Sequence, residues 1–507
     1  MVSNASNQNF FRTLHECGFQ NPDSPFLTPP GGPAWSYGAI DALSARFACV
    51  FAEAGLKPGD RICVQVEKSA ENVALYLAAL RFGLVYTPLN TAYTREEIRY
   101  FLSDCDPAAF VCDPARAEEV SATAVFTLGA DGGGSLMTAA QKAKPAPAIA
   151  VRHEDDLAVI LYTSGTTGRS KGAMLSHRNL ATNATTLHEI WGFAPGDVLL
   201  HALPIFHIHG LFVALHTAML NGSEVLFLPR FSVAAVKEAL ARATIMMGVP
   251  TFYTRLLADE AFGAADCASM RLFISGSAPL TAETHRAFEA RTGHAILERY
   301  GMSEAGMIAS NPLHGARVAG TVGFALPGVN IRITDETGAP SSPGVVGSVD
   351  VRGPNIFQGY WLRPEKTATE FRDGWFVTGD LGALDDEGRL TLSGRSTDLI
   401  IAGGYNIYPK EIEDVIGAVT GVGECAVIGA PHPDMGEGVV AVLAAGTGDG
   451  ALAKEESEEK VRAALSALAS FKRPRKLIWI DALPRNAMGK VQKAALREAY
   501  KDAFATD

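Results

Sequence analysis

The sequence predicts an α/β protein. A large N-terminal domain of layered sheets and helices carries a small β-rich subdomain, and a smaller α+β C-terminal domain follows. Three observations predict it. Segments with apolar residues at helical spacing alternate with short apolar runs. Gly and Pro punctuate β-rich segments after Gly323, and a fresh α/β block starts after Arg395. Such alternation points to layered sheets with helices packed outside. The helical pattern of Leu43 to Ala54 precedes a strand over Arg61 to Val66, and that of Ala70 to Phe82 precedes a strand over Leu84 to Leu89. Phe110 to Cys112, Val198 to Leu203, Glu224 to Leu228 and Arg271 to Ser275 continue the series. Asn330 to Ile333, Ser348 to Val351 and Arg389 to Leu392 read as strands of a small, largely antiparallel sheet or barrel. The last block holds a helix at Lys410 to Ile416, a strand at Glu424 to Gly429 and a charged helix at Lys454 to Ala469. Gly446 to Gly450 reads as an exposed loop within it. The boundary falls near Ser396, giving domains 1–396 and 397–507.

At 507 residues the chain is too long for one compact core. Its formal charge of -11 argues against nucleic-acid binding. The 7 cysteines are scattered without a CxxC pair, which reads as reduced thiols, not a disulfide framework or zinc site. The polar start lacks a signal pattern, and no run reaches ~18 consecutive apolar residues. A soluble cytoplasmic protein that does not span a membrane is expected.

The richest stretch is Tyr162-Thr163-Ser164-Gly165-Thr166-Thr167-Gly168-Arg169-Ser170-Lys171-Gly172, directly after the apolar run Leu157 to Leu161. An apolar strand feeding a Gly/Ser/Thr loop wraps backbone N–H groups around phosphate oxygens. Hydroxyls donate, glycines allow close approach, and Arg169 and Lys171 add positive charge. It is not a Walker loop, because Ser170 stands where a glycine should precede the lysine.

This loop resembles the phosphate loop of the adenylate-forming acyl-CoA synthetases, and further motifs repeat the resemblance in order. They are Pro204 to Gly210, Tyr300-Gly301-Met302-Ser303-Glu304, Thr378-Gly379-Asp380, Gly394-Arg395, Gly403-Gly404-Tyr405 and Pro484 to Lys490. Within the family, Glu298 to Met302, Ser310-Asn311-Pro312 and Ser275 to Leu280 are similar to the malonyl-CoA synthetases. The resemblance implies ATP, Mg²⁺ and coenzyme A as reactants, malonate as the acid, and a mobile C-terminal domain. Another small carboxylate (methylmalonate, succinate or a short monoacid) and loading of a carrier protein remain the alternatives.

The implied roles follow residue by residue. Thr163, Ser164, Gly165, Thr166, Thr167, Gly168, Arg169 and Lys171 are candidates for the phosphates of ATP, with Thr166 and Glu304 for Mg²⁺. Gly276, Ser277, Ala278, Glu298, Tyr300, Gly301, Met302 and Ser303 are candidates for the adenylate, with Tyr300 as a flat adenine wall. Asp380 would accept from the ribose hydroxyls, assisted by Arg395. Ala305 replaces a hydroxyl residue usual in relatives. Lys490 is the candidate catalytic lysine, and an acetylating enzyme acting there would remove its charge. His207 is the expected gate over the acyl-adenylate; His209 beside it raises a metal reading that no further ligand text supports. A dicarboxylate needs a cation in the acyl pocket, for which Arg255 is the first choice, with Ser277 as partner and Arg286 as runner-up. Ile208 and Met307 are expected to wall the pocket, which predicts preference for malonate over methylmalonate. Gly403, Gly404, Tyr405 and Lys472 are candidates for coenzyme A, and Thr397 and Asp398 for the hinge.

Overall fold

The computed structural model describes residues 7–119, 124–144, 148–163, 170–446, 453–486 and 490–505. Four sheets organise them. A nine-stranded sheet has a parallel centre formed by Leu297–Met302, Leu272–Ser275, Ile245–Gly248, Val198–His201, Glu224–Phe227 and Pro25–Thr28. A six-stranded sheet ends in the antiparallel pair Leu157–Thr163 and Lys171–Ser176. The segment after Gly323 forms a five-stranded antiparallel sheet, and residues 400–480 form a separate five-stranded sheet. The layered α/β expectation holds, and the β-rich subdomain is an open sheet.

Local sequence explains the elements. Ile245–Gly248 and Leu272–Ser275 are buried at every position, as strands of a parallel sheet covered on both faces must be. Helix Ala70–Phe82 starts at Ser69, whose side chain accepts from the Asn72 amide, and stops at Gly83 with φ 80°. Helix Arg95–Cys105 opens on a Thr94/Glu97 capping box. The charged helix ends at Leu465, short of the predicted Ala469; beyond it Arg473 donates to the carbonyls of Leu468 and Ser466. Residues 447–450 of the expected exposed loop lie outside the described residues. One large core joins the two α/β sheets and the β-rich subdomain, while Ile400 to Leu465 builds a core of its own. Cysteines 63, 105, 112 and 267 are buried free thiols.

The phosphate motif sits at a hairpin. The strand from Leu157 continues to Thr163, and the return strand begins at Lys171, with Thr163 and Lys171 in register. Ser164, Gly165, Thr166, Thr167, Gly168 and Arg169 lie outside the described residues. Tyr100 Oη donates to the Ser170 carbonyl at 2.6 Å and Tyr162 Oη to Asp104 Oδ2 at 2.8 Å, so the helix 95–105 braces both flanks of the hairpin.

A π-helical turn, His209–Leu215, carries the histidine motif. Such turns occur often at functional sites. Gly210 is obligatory there: a Cβ would lie 2.0 Å from the Pro204 carbonyl oxygen. His201 Nε2 contacts the Gly210 carbonyl at 3.0 Å, and His201 Nδ1 lies 2.8 Å from the Lys68 ammonium. Lysine has no acceptor, so His201 is the Nε2–H tautomer and donates to Gly210. Gly210→Ala is expected to destabilise the protein by about 1–3 kcal/mol. Denaturant unfolding measures it, and an unchanged midpoint would show that the turn relaxes freely.

Candidate active site

The cleft between the sheets gathers the motif residues around two centres. The first is Asp380, on strand Trp375–Leu384. Its carboxylate accepts from Tyr300 Oη and pairs with Arg395 Nε at 2.8 Å, while its amide donates to Thr378 Oγ1 at 3.1 Å. Burial raises the Asp380 pKa; Arg395 and Tyr300 oppose the rise. Tyr300 is therefore tied down by its hydroxyl as well as presenting a ring. Glu304 is buried, accepts from Tyr360 Oη at 3.0 Å and from Thr163 Oγ1 at 3.4 Å, and burial pushes its pKa up. The Lys171 ammonium stands 5.3 Å from the Tyr360 ring centroid, so the hairpin cation and the carboxylate share one tyrosine.

Lys490 is exposed by surface area, yet its ammonium reaches into this charged cleft. It acts electrostatically on Asp380 and His207, and is itself acted on by Arg395, Asp380, Glu304 and Arg299. Desolvation lowers its pKa, and the two carboxylates resist the fall. One lysine from the C-terminal domain is thus brought between the nucleotide motifs and the histidine motif.

The second centre is Arg299, and sequence reasoning missed it. It is 3% exposed, and its Nε and Nη2 make no hydrogen bond among the described residues. The guanidinium lies against Gly276, where a Cβ would stand 2.5 Å from Arg299 Cζ. His209 Nδ1 is 3.2 Å from Ser277 Oγ, His209 Nε2 is buried without a partner, and Ser277 adopts φ 72°. A non-glycine residue in that region stores strain, which clusters at functional sites. Burial and the neighbouring cations push His207 down to about 3, and His209 also well below its usual range, so both are neutral at pH 7. A buried guanidinium, a neutral imidazole and a hydroxyl thus lie close together at the ends of these strands.

Arg255 and Arg286 do not reach this cluster. Both are exposed: Arg255 closes helix Pro250–Leu257 on its solvent side, and Arg286 lies on the outer face of helix Ala282–Thr292. Arg299, in contrast, is buried, which makes it a further candidate for the pocket cation beside Arg255 and Arg286. The readable signal was two charged residues, Glu298 and Arg299, in a short strand text, Leu297-Glu298-Arg299-Tyr300. Ile208 and Met307 are buried, and Ile208 borders a cavity of about 10 Å³ with Phe212 and Gly306. Glu298 is buried, pushed up to about 8 by desolvation, and accepts from the Leu280 amide at 3.4 Å. Gly276, Ala278, Gly301, Met302 and Ser303 line the same ends of the two strands, while Ala305 is fully buried.

Farther out, Gly403 and Gly404 turn the hairpin Ile400–Ala402 to Tyr405–Ile407 with φ 58° and 83°. Their identity follows from this left-handed turn, since a Cβ at either would meet no protein atom. Tyr405 stacks on Phe471 at 4.5 Å. Lys472 is held by both oxygens of Glu411, at 2.7 and 2.8 Å. Thr397 and Asp398 lie in the single turn Ser396–Asp398 directly after Arg395.

A buried carboxylate held by Arg395 and Tyr300, the Thr163–Lys171 hairpin, a buried guanidinium and a lysine from the C-terminal segment thus lie in one region, as an acid-activating, nucleotide-dependent enzyme requires. Comparison with known proteins agrees. The family model "AMP-binding enzyme" matches residues 14–361, and "AMP-binding enzyme C-terminal domain" matches 411–490. A feruloyl-CoA synthase from an Amycolatopsis species is 34% identical over 474 residues, covering 93% of this chain and 95% of its own. A malonate–CoA ligase from Arabidopsis thaliana is 33% identical over 530 residues, covering 93% and 85%. The crystal structure of ATP-bound MatB from Rhodopseudomonas palustris superimposes with a TM-score of 0.94 at 51% identity, over 98% of this chain and 100% of that one; its apo form gives 0.84. The chain belongs to the AMP-binding enzymes and is an AMP-forming acyl-CoA synthetase. Among the described residues no helix is long and apolar enough to cross a membrane.

The unpaired charge of Arg299 carries a stability consequence. Burial lowers its pKa to about 9, below the unfolded value of 12.5, so the protonated form favours the unfolded chain. That penalty is fully present below about pH 9 and lifts as pH rises toward the unfolded value. Arg299→Met should therefore stabilise the ligand-free enzyme at pH 7 by about 1–3 kcal/mol. Denaturant unfolding without substrates checks this; a clear loss of stability would mean the guanidinium is satisfied.

Proposed function

We propose that the enzyme is an ATP-dependent malonate–CoA ligase, producing malonyl-CoA, AMP and pyrophosphate. The observation that carries the reading is the buried Arg299 guanidinium with unfilled donors beside Ser277 and His209. A dicarboxylate presents one carboxylate to ATP and needs a cation for the other. Arg299 also closes the pocket against Gly276, and a long acyl chain would have to pass an unpaired ion, which is costly. The resemblance to the malonate–CoA ligase supports the same acid. A feruloyl tail lacks a distal anion, so that relative fits the pocket less well. Another short acid with a distal anion, such as succinate, is the second reading, because the guanidinium recognises charge before length.

Two half-reactions follow. A malonate carboxylate oxygen bonds to the α-phosphorus of ATP as the bond to pyrophosphate breaks. The thiol of coenzyme A, losing its proton, then bonds to the acyl carbon and AMP leaves. Asp380, with Arg395 and Tyr300 fixing its oxygens, binds the ribose hydroxyls. Thr163 and Lys171 flank the phosphates, together with loop residues 164–169. Lys490 places positive charge between the carboxylate and the α-phosphate, stabilising charge that develops there. Neutral His207 borders the acyl carbon without competing for the anion. The residues also fit Mg²⁺: one buried carboxylate, Glu304, beside the Thr163 hydroxyl is the sparse set that this ion takes alongside phosphates and water. Mg²⁺ there would neutralise phosphate charge and relieve the cost of burying Glu304. The boundary at Ser396 and rotation of the C-terminal domain complete the reading. Gly403, Gly404 and Tyr405 would line the coenzyme A arm once that domain turns.

Steady-state assays with malonate, methylmalonate, succinate, acetate and octanoate test it. Malonate should be preferred, with AMP released. In Arg299→Met, kcat/KM for malonate should fall roughly 10–150-fold while a short monoacid is little affected. Release of ADP, or faster turnover of octanoate, would overturn the proposal. Separately, Lys490→Ala should abolish malonate-dependent pyrophosphate exchange yet convert supplied malonyl-adenylate and coenzyme A to thioester. Equal loss of both would refute a role confined to adenylation. Acetylation of Lys490 should reproduce the alanine phenotype.

A further inference from the structure

The last helix, Lys493–Ala499, begins just after Lys490 and is tethered at two points. At its start Lys493 Nζ meets Glu413 Oε1 at 2.6 Å, and Glu413 in turn accepts from the Val427 amide at 2.8 Å. These contacts stay within the C-terminal block. Farther along, Arg497 Nη1 meets Asp398 Oδ1 at 2.8 Å. Asp398 closes the turn that follows Arg395, so this pair joins the lysine-bearing segment to the point where the chain leaves the nucleotide site. Asp398 also lies within electrostatic range of Arg395 and Asp380. Without Arg497 it would be a free carboxylate competing with Asp380 for the Arg395 guanidinium.

We propose that the Asp398–Arg497 ion pair is a latch between the hinge turn and the Lys490-bearing segment, which makes Arg497 a positioning residue for adenylation. It has two effects. It sets the height at which Lys490 enters the cleft, and it occupies Asp398 so that Arg395 stays on Asp380. Both belong to the first half-reaction, and rotation of the C-terminal domain for the second would begin by releasing the pair. The inference rests on the reading of Lys490 given above.

The test measures the two half-reactions separately in the full-length enzyme. Arg497→Met should lower malonate-dependent pyrophosphate exchange roughly 2–30-fold and raise KM for ATP. Thioester formation from supplied malonyl-adenylate should hold steady or quicken. Asp398→Asn removes the competing charge together with the latch, so its loss should be milder, and the double variant should match Asp398→Asn. Arg497→Lys should recover part of the activity. A helix that is merely anchored by the pair would give equal losses in Arg497→Met and Asp398→Asn, with both half-reactions falling alongside the unfolding midpoint. That result overturns the latch, as does unchanged exchange in Arg497→Met. If Lys490→Ala itself retains exchange, the underlying reading fails first, and the two failures are distinguishable.

Discussion

The candidate site is arranged around a buried positive charge, Arg299, whose Nε and Nη2 find no hydrogen-bond partner among the described residues. Arg299 sits in the third strand from one edge of the nine-stranded sheet, against a glycine whose missing side chain makes the space for it. Such a charge opposes folding until an anion arrives. The surrounding groups leave it that way: the two nearby histidines are held neutral, and Ser277 keeps a strained backbone that turns its hydroxyl toward His209. On the proposed function, the residue that weakens the empty protein is the one that would meet the distal charge of the acid. Exchange of stability for recognition is common at functional sites.

On the nucleotide side the logic reverses, and charges are paired in advance. Asp380 is satisfied by Arg395 and Tyr300, and Glu304 by Tyr360 and Thr163. Those contacts orient oxygens before a ligand binds, which lowers the reorganisation needed at the moment of reaction. Lys490 bridges the two regimes because it belongs to a different core. A cation that must act in one half-reaction and be absent from the next is easier to remove on a separate body than on a fixed strand.

Much of this was legible in the sequence. The parallel strands announced themselves as short continuous apolar runs, and helix Ala70–Phe82 matched its pattern because Ser69 and Gly83 mark its ends. The motifs at Asp380, Glu304 and Lys490 were each set off by glycine in the chain text, and the fold brings the three groups within electrostatic range of one another. The burial of Arg299 was not legible in the same way. Arg255 has helical context and an apolar face beside it, but helix Pro250–Leu257 turns that position outward. Arg299 is one residue from the tyrosine that had already been read as part of the adenylate motif. Alternation along a strand sends adjacent side chains to opposite faces, so Tyr300 meets Asp380 while Arg299 lies against Gly276. The glycine pair 403–404 was read as room for a ligand, and the positive φ of both residues is reason enough for their identity.

The central claim is that a buried guanidinium reads the distal charge of the acid. Malonamate, the half-amide of malonate, matches it in size and keeps the reacting carboxylate but lacks the distal charge. The direct measurement is kcat/KM for malonate and malonamate with the unmodified enzyme at pH 7. Recognition by Arg299 predicts a preference for malonate of roughly 10–150-fold, the value of a charge-assisted contact in a desolvated site. Equal use of the two acids would contradict the account.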